Sequence, residues 1–312
     1  MPPRAVCVTA DPQLRRTLRR ELGASGTQVE FTETADDARE RRADLIVLDP
    51  TARRGADLEA LSVAPTDGTA PEIVIVGESL SHDEVLGLLR APQLNHVIAN
   101  LGTEPGDHGL VVATGKLAKG DIFGVEKYLA WGVFVRERVV QTYEAKRDVL
   151  IEVADYAQEV GARRQTVAKI ESVTDELLMN ALYDAPAIRY GVPFNPPERA
   201  RGLGEPIGEE PATVRYASDG RWFGCSVRDN YGELRKEAIL AALLRARAEK
   251  GPQQRGSGGA GLGMYYVLTS VTRLVANVHP GQQTEVIALF DLHATGREPD
   301  QYAKSLHIFT TG

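Results

Sequence analysis

The sequence predicts an α/β protein in two parts, a doubly wound parallel sheet followed by an α/β sandwich. Three observations carry that expectation. Strand-like and helix-like runs alternate through the first hundred residues, the pattern of a parallel sheet covered on both faces. Further on, an unbroken amphipathic stretch over 165–184 precedes a turn-linked strand pair, a glycine-rich stretch and a last strand pair. Finally, 312 residues exceed what a single core usually spans.

Composition narrows the class. Hydrophobic residues at 43% and charged residues at 25% exclude a disordered or fibrous chain. The net charge of −7 argues against non-specific nucleic-acid binding, although the arginines of RRTLRREL and RERVV leave a local basic patch open. The opening MPPRAVCVTADP lacks the apolar core of a signal peptide, and no apolar run approaches the roughly 18 residues of a membrane helix. A cytoplasmic protein is expected. Cys7 and Cys225 each lie inside a strand-like run and are expected to be buried thiols. The six histidines show no metal-ligand spacing.

In order, AVCVTA, VEFTET, DLIVLDP, EIVIVGE and HVIAN are the expected strands of the first domain, with helices over PQLRRTLRREL, ADDARERR and HDEVLGLLR between them. Near-continuous apolar strands are what a sheet covered on both faces requires. The order resembles a response-regulator receiver domain, a flavodoxin-like fold, with Asp49 in the place of its phospho-accepting aspartate. The family's metal-holding acidic pair falls on Thr9 and Ala10, with Asp11 one place late. Its hydroxyl falls on Val76 or Gly77, and its lysine near Asn100. Without these groups an incoming phosphoryl group would meet no charge neutralisation at Asp49, so the resemblance implies a pseudo-receiver over 1–105. Two readings of Asp49 stand, a carboxylate starting a loop and a residual phospho-acceptor.

Residues 106–148 are expected to connect the domains. KYLAWGVFVRERVVQTY reads as a helix with an apolar stripe through Leu129, Trp131 and Val135, interrupted at Gly132, while LVVATGKLAKG could add an edge element to the first domain. No histidine lies in this helix, which excludes the usual substrate histidine of a histidine kinase.

The remainder, 149–312, carries the chemistry. In QTVAKIESVTDELLMNALYD, Val167, Ile170, Leu177, Leu178 and Ala181 share one helical face, and Glu176, Asn180 and Asp184 form an adjacent stripe at i, i+4 spacing. An amide four residues after a carboxylate suits a magnesium ligand beside a base, and it equally suits a solvated helix. The hairpin ATVRYASDGRWFGCSVRDNYGEL runs out at Asp229, with Gly232 three residues later. A strand-end carboxylate can accept from an adenine amino group, and the same spacing marks ordinary turns. In GPQQRGSGGAGLGMYYVLTSV, Gly256, Gly258, Gly259, Gly261 and Gly263 lead into a helix start, an arrangement that suits phosphate or a plain linker.

Taken in this order, the motifs resemble the GHKL (Bergerat) ATP-binding fold over about 150–295, and most closely the anti-sigma-factor serine kinases. The resemblance implies ATP and Mg2+ as cofactors. Glu176 would be the general base, Asn180 the magnesium ligand, Asp229 and Gly232 the adenine contacts, and Gly259, Gly261, Leu262 and Gly263 the phosphate-binding turn. Thr284 would share a water with Asp229, and Lys250 and Arg255 would stand in the lid. It also implies a protein partner such as a sigma-factor regulator, and a homodimer. The expected function is a cytoplasmic signalling protein, a serine/threonine kinase or slow ATPase of partner-switching type, or alternatively a non-catalytic nucleotide-gated binding module. Tyr231 and Glu233 stand where the family has glycines, and 185–211 is a proline-rich insertion.

Overall fold

The computed structural model describes residues 2–61, 70–77, 82–99, 101, 108–191, 208–248, 262–293 and 305–311. The chain divides into two compact units, Met1–Ile122 with Asp300–His307, and Phe123–Pro299 with Ile308–Gly312.

In the first unit, β1 (Arg4–Val8), β2 (Gln28–Thr32), β3 (Leu45–Leu48), β4 (Glu72–Gly77) and β5 (Leu94–Ala99) form a sheet in the order β2-β1-β3-β4-β5. All four of these pairings are parallel. This is the doubly wound order whose direction reverses between β1 and β3. The strand β11 (Ser305–Thr310) adds to β5 antiparallel, His307 opposite His96. Helix α1 (Pro12–Ala24) starts with a proline behind Asp11, whose carboxylate caps it through the Gln13 N–H at 2.8 Å. Its Leu18 and Leu22, one turn apart, pack with Cys7, Val47 and Val76 of the sheet. Helix α2 (Ala35–Arg39) is capped by Thr34, and α3 (Pro50–Gly55) by Asp49. The segment LVVATGKLAKG is not an edge element. It is helix α6 (Gly109–Lys119), following α4 (Leu58–Leu61) and α5 (His82–Leu88), and its Thr114 hydroxyl reaches the Ser25 hydroxyl beyond α1 at 2.9 Å.

The helical connector expected over 106–148 is not what the structure contains. Residues 108–122 belong to the first unit and 123–148 to the second. Where a helix was expected over 126–143, the chain makes one 3-10 turn (Val125–Tyr128), a second turn at Trp131 and Gly132, and strand β6 (Arg136–Val140). The physical reason lies in the β-branched run Val133, Val135, Val139 and Val140, which favours a pleated surface, and in Gly132, whose φ of 89° no helix accepts.

The second unit's sheet runs β9-β10-β8-β7-β6, from β7 (Ala212–Ser218), β8 (Trp222–Asp229), β9 (Arg273–His279) and β10 (Gln283–Asp291), with every pairing antiparallel. Helices α7 (Tyr143–Glu159), α8 (Arg164–Met179) and Leu262–Ser270 cover one face. There Thr174 of α8 meets Cys225 of β8 at 3.3 Å, and Tyr156 of α7 packs its ring against Tyr216 and Phe223. Residues 125–129 cover the other face. A Cβ added at Gly224 would run into Val125 and Leu129, so the missing side chain is what lets this cover lie flat on the sheet. Both cysteines are buried and free, as expected, and burial lifts the Cys7 thiol to about 12 and that of Cys225 to about 11.

Candidate functional site

The site sits in the second unit, where α8 crosses β8 and β10. Strand β8 ends at Asp229, and the chain turns sharply because Oδ1 of that side chain accepts the N–H groups of Tyr231 at 2.9 Å and Gly232 at 3.1 Å. The carboxyl is 7% exposed, and burial raises its pKa against the opposing pull of the N–H groups of Tyr231 and Gly232. Directly across the ladder on β10 stands Thr284. Its hydroxyl is buried and lacks a partner with hydrogen-bond geometry, although it lies near enough to favour ionised Asp229. A hydroxyl that meets a buried carboxylate only imperfectly makes a polar corner with hydrogen-bonding capacity to spare.

Gly232 adopts φ 67°, and a Cβ there would collide with the backbone of the 279–282 turn. The close approach that this glycine permits is thus made by the β9–β10 turn, whose Gly281 N–H donates to Gly232 O at 3.1 Å. The two departures from the family pattern are also accounted for. Tyr231 is buried, edge-on to Tyr190 at 6.1 Å, and its hydroxyl accepts the Glu210 N–H at 3.3 Å. Burial moves this phenol up to about 12. Glu233 pairs with Arg189 at 3.2 Å. Both contacts reach α9 (Ala185–Tyr190), so the substituted positions clasp the described start of the insertion to the strand end.

On α8, Ile170, Val173, Leu177 and Leu178 are buried, while Glu176 and Asn180 are half-buried at the edge of that face. The helix does not continue regularly to Asp184. Asn180–Asp184 form a π turn, which inserts one residue into the register. A Cβ added at Gly263 would overlap the Glu176 carboxylate, so the structure brings Glu176 against the start of helix Leu262–Ser270. Leu262 is the first residue of that helix. Gly259 and Gly261, with Lys250 and Arg255, lie outside the described residues.

Sequence reasoning missed a buried polar group on the opposite face of the same sheet. Glu285, 2% exposed, accepts the Gly124 N–H at 2.7 Å and the Asn277 side-chain amide at 2.9 Å. The available signal was a charged residue directly ahead of the apolar run VIALF together with an asparagine inside RLVANVH, which the register places opposite one another.

In the first unit, Asp49 is 6% exposed and accepts the Ala52 N–H at 2.6 Å, capping α3. Arg53 of the same short helix is buried, with one guanidinium nitrogen 3.7 Å from Glu84. Thr9 accepts the Asp11 N–H at 3.1 Å. Among the described residues, no three His, Cys, Asp or Glu side chains are grouped to hold a metal ion, and no helix is long and apolar enough to cross a membrane.

Fold and site together define a mixed α/β protein, a doubly wound parallel unit joined to an antiparallel sheet backed by helices. No protein-family model and no curated protein matches the chain. Solved structures align with parts of it at low similarity. A response regulator from Thermotoga maritima is 14% identical over 38% of this chain and 99% of its own, with a TM-score of 0.31. A chain of the SiaB-SiaC complex from Pseudomonas aeruginosa is 15% identical over 51% of this chain and 89% of its own, at 0.32. A sensor protein from Polaromonas sp. JS666 is 19% identical over 39% of this chain and 98% of its own, at 0.30.

Proposed function

We propose that the second unit binds Mg-ATP in a GHKL-type site and that the protein is a signalling protein of partner-switching type. The observation that carries this reading is the corner of Asp229 and Thr284, a buried carboxylate held by two backbone N–H groups beside a hydroxyl with an unmet hydrogen bond. An adenine edge supplies the missing donor and acceptor chemistry. Asn180 would hold the metal, and Gly263 with Leu262 would begin the phosphate-facing helix start. When bound, Mg-ATP supplies a transferable phosphoryl group whose charge the metal screens. Glu176 then serves as a base: half-buried on α8, it can accept a proton from a partner hydroxyl or from water.

Calorimetric titration of the full chain with a non-hydrolysable ATP analogue tests the site. Binding should lean on Asp229, so Asp229→Asn weakens it, and Asn180→Ala should lose its magnesium dependence. A folded wild-type protein that takes up no nucleotide refutes the reading. Transfer of label from ATP to serine or threonine of a partner marks a kinase. Turnover without a partner that Glu176→Ala abolishes marks a slow ATPase. Binding without either marks a nucleotide-gated module, the alternative function.

A further inference from the structure

Two histidines meet inside the first unit. His96 of β5 and His307 of β11 stand opposite one another in the register, 0% and 1% exposed, with their Nδ1 atoms 3.4 Å apart and their ring centroids at 5.5 Å. A contact of Nδ1 to Nδ1 holds one hydrogen, so one ring donates and the other must keep its lone pair. The join in which the pair sits is short. Leu306 stands opposite Val97 and His307 opposite His96, and the Ser305 hydroxyl accepts the Ala99 N–H at 3.1 Å. Neighbouring elements bring three charged groups to this face of the sheet. Glu72, at the start of β4, places Oε2 3.9 Å from His96 Nε2 and accepts the Asn95 side-chain amide at 3.0 Å. Val74 and Ile98 pack against Leu18 of α1 and Leu110 of α6, and those helices bury Glu21 and Lys116.

We propose that the His96–His307 pair is a proton-operated latch, which holds β11 on β5 while one imidazole is neutral and releases it when both are charged. The first proton fits. A single imidazolium keeps the Nδ1 contact as donor to the neutral ring, with the Glu72 carboxylate as its counter-charge. The second proton does not fit, because it sets a hydrogen on each Nδ1 across 3.4 Å and two like charges side by side in a buried place. Of the buried charges on the covering helices, Lys116 opposes a further cation, and Glu21 already has Arg20 at 3.6 Å. Once β11 leaves β5, each imidazole reaches water and takes a proton near pH ~6.5. The open form then binds one more proton than the closed form, so falling pH drives opening by up to about tenfold per pH unit. This gives the first unit a chemical input, acidity, while Asp49 is engaged as a helix cap. The inference does not depend on nucleotide binding.

Amide hydrogen exchange of the full chain, followed by mass spectrometry and corrected for the intrinsic pH dependence of exchange, is the test. Between about pH 7.5 and about pH 5, protection of Leu94–Ala99 and of residues 305–307 should fall, approaching about tenfold per pH unit, while β1 and β3 keep theirs. His307→Asn puts an amide where the Nδ1 contact is made and cannot take a charge, so its protection should be the same at both ends of that range. A merely structural pair would lose protection in this variant at every pH and leave the acid dependence of the wild type unexplained. Should His307→Asn fail to fold, nitrogen NMR of the wild-type imidazoles decides, since the doubly charged pair should appear only together with the loss of protection. Both rings charged while β5 and β11 stay protected overturns the proposal. So does wild-type protection of these strands that tracks β1 and β3 throughout, or a folded His307→Asn protein that opens in acid as the wild type does.

Discussion

Each unit ends a central strand in an aspartate that is almost fully buried, Asp49 after β3 and Asp229 at the end of β8. Their surroundings differ in a way that sequence spacing does not show. Asp49 accepts one N–H and thereby starts a helix, with a buried arginine of that helix nearby. Asp229 takes two N–H groups on one oxygen and faces a hydroxyl whose hydrogen bonding is incomplete. Both corners leave a neighbour wanting a partner, one guanidinium nitrogen of Arg53 on the helix that Asp49 caps and the Thr284 hydroxyl across from Asp229, so what separates them is the local task of the carboxylate: Asp49 starts a helix, and Asp229 closes a turn.

The comparison can be broken most forcefully at Gly232. Gly232→Ala forces a side chain into the 279–282 turn at positive φ, and it should cost roughly 3 kcal/mol in urea unfolding, with nucleotide affinity lost as well. Under the proposed function, Asp229→Asn should weaken ATP-analogue affinity about a hundredfold, or about 2.7 kcal/mol by calorimetry. The same variant tests the titration. Because burial raises the folded pKa of Asp229 above its unfolded value, the native state binds more protons between the two. Wild-type stability relative to Asp229→Asn should therefore rise as pH falls through the folded pKa, and level off below the unfolded one. Asp49→Ala should cost about 1 kcal/mol as a lost helix cap and leave nucleotide binding untouched. The smallest effect is expected from Thr284→Val. Removing an unsatisfied hydroxyl should leave the free protein unchanged or up to about 1 kcal/mol more stable while lowering nucleotide affinity, and a clear loss of stability in the free protein would show that this hydroxyl is already bonded.

The first unit was readable because its inner parallel strands are short apolar runs such as LIVL or IVIV, bounded by turn residues, while the edge strand QVEFT is half-buried. The same signal failed at β6. An edge strand buries one face only, so its alternating Arg and Glu removed the apolar run, while Leu129, Trp131 and Val135 fell by chance at helical spacing. Within the site, Asp229 and Thr284 were legible as a strand end and a hairpin position. The π turn after Met179 was not, since no residue type marks one. Nor was the clasp of Tyr231 and Glu233, whose partners lie in a stretch that reads only as a proline-rich insertion.

The cover of residues 123–129 has a practical bearing on how the second unit can be excised. A fragment cut at 149, the boundary that motif spacing suggests, would remove β6, the first six residues of α7 and the segment that Glu285 anchors through Gly124. Gly224 would face water and Glu285 would lose a donor, so such a fragment would report on its own misfolding and not on ATP. Cutting ahead of Phe123 keeps the hydrogen bond and the sheet edge together.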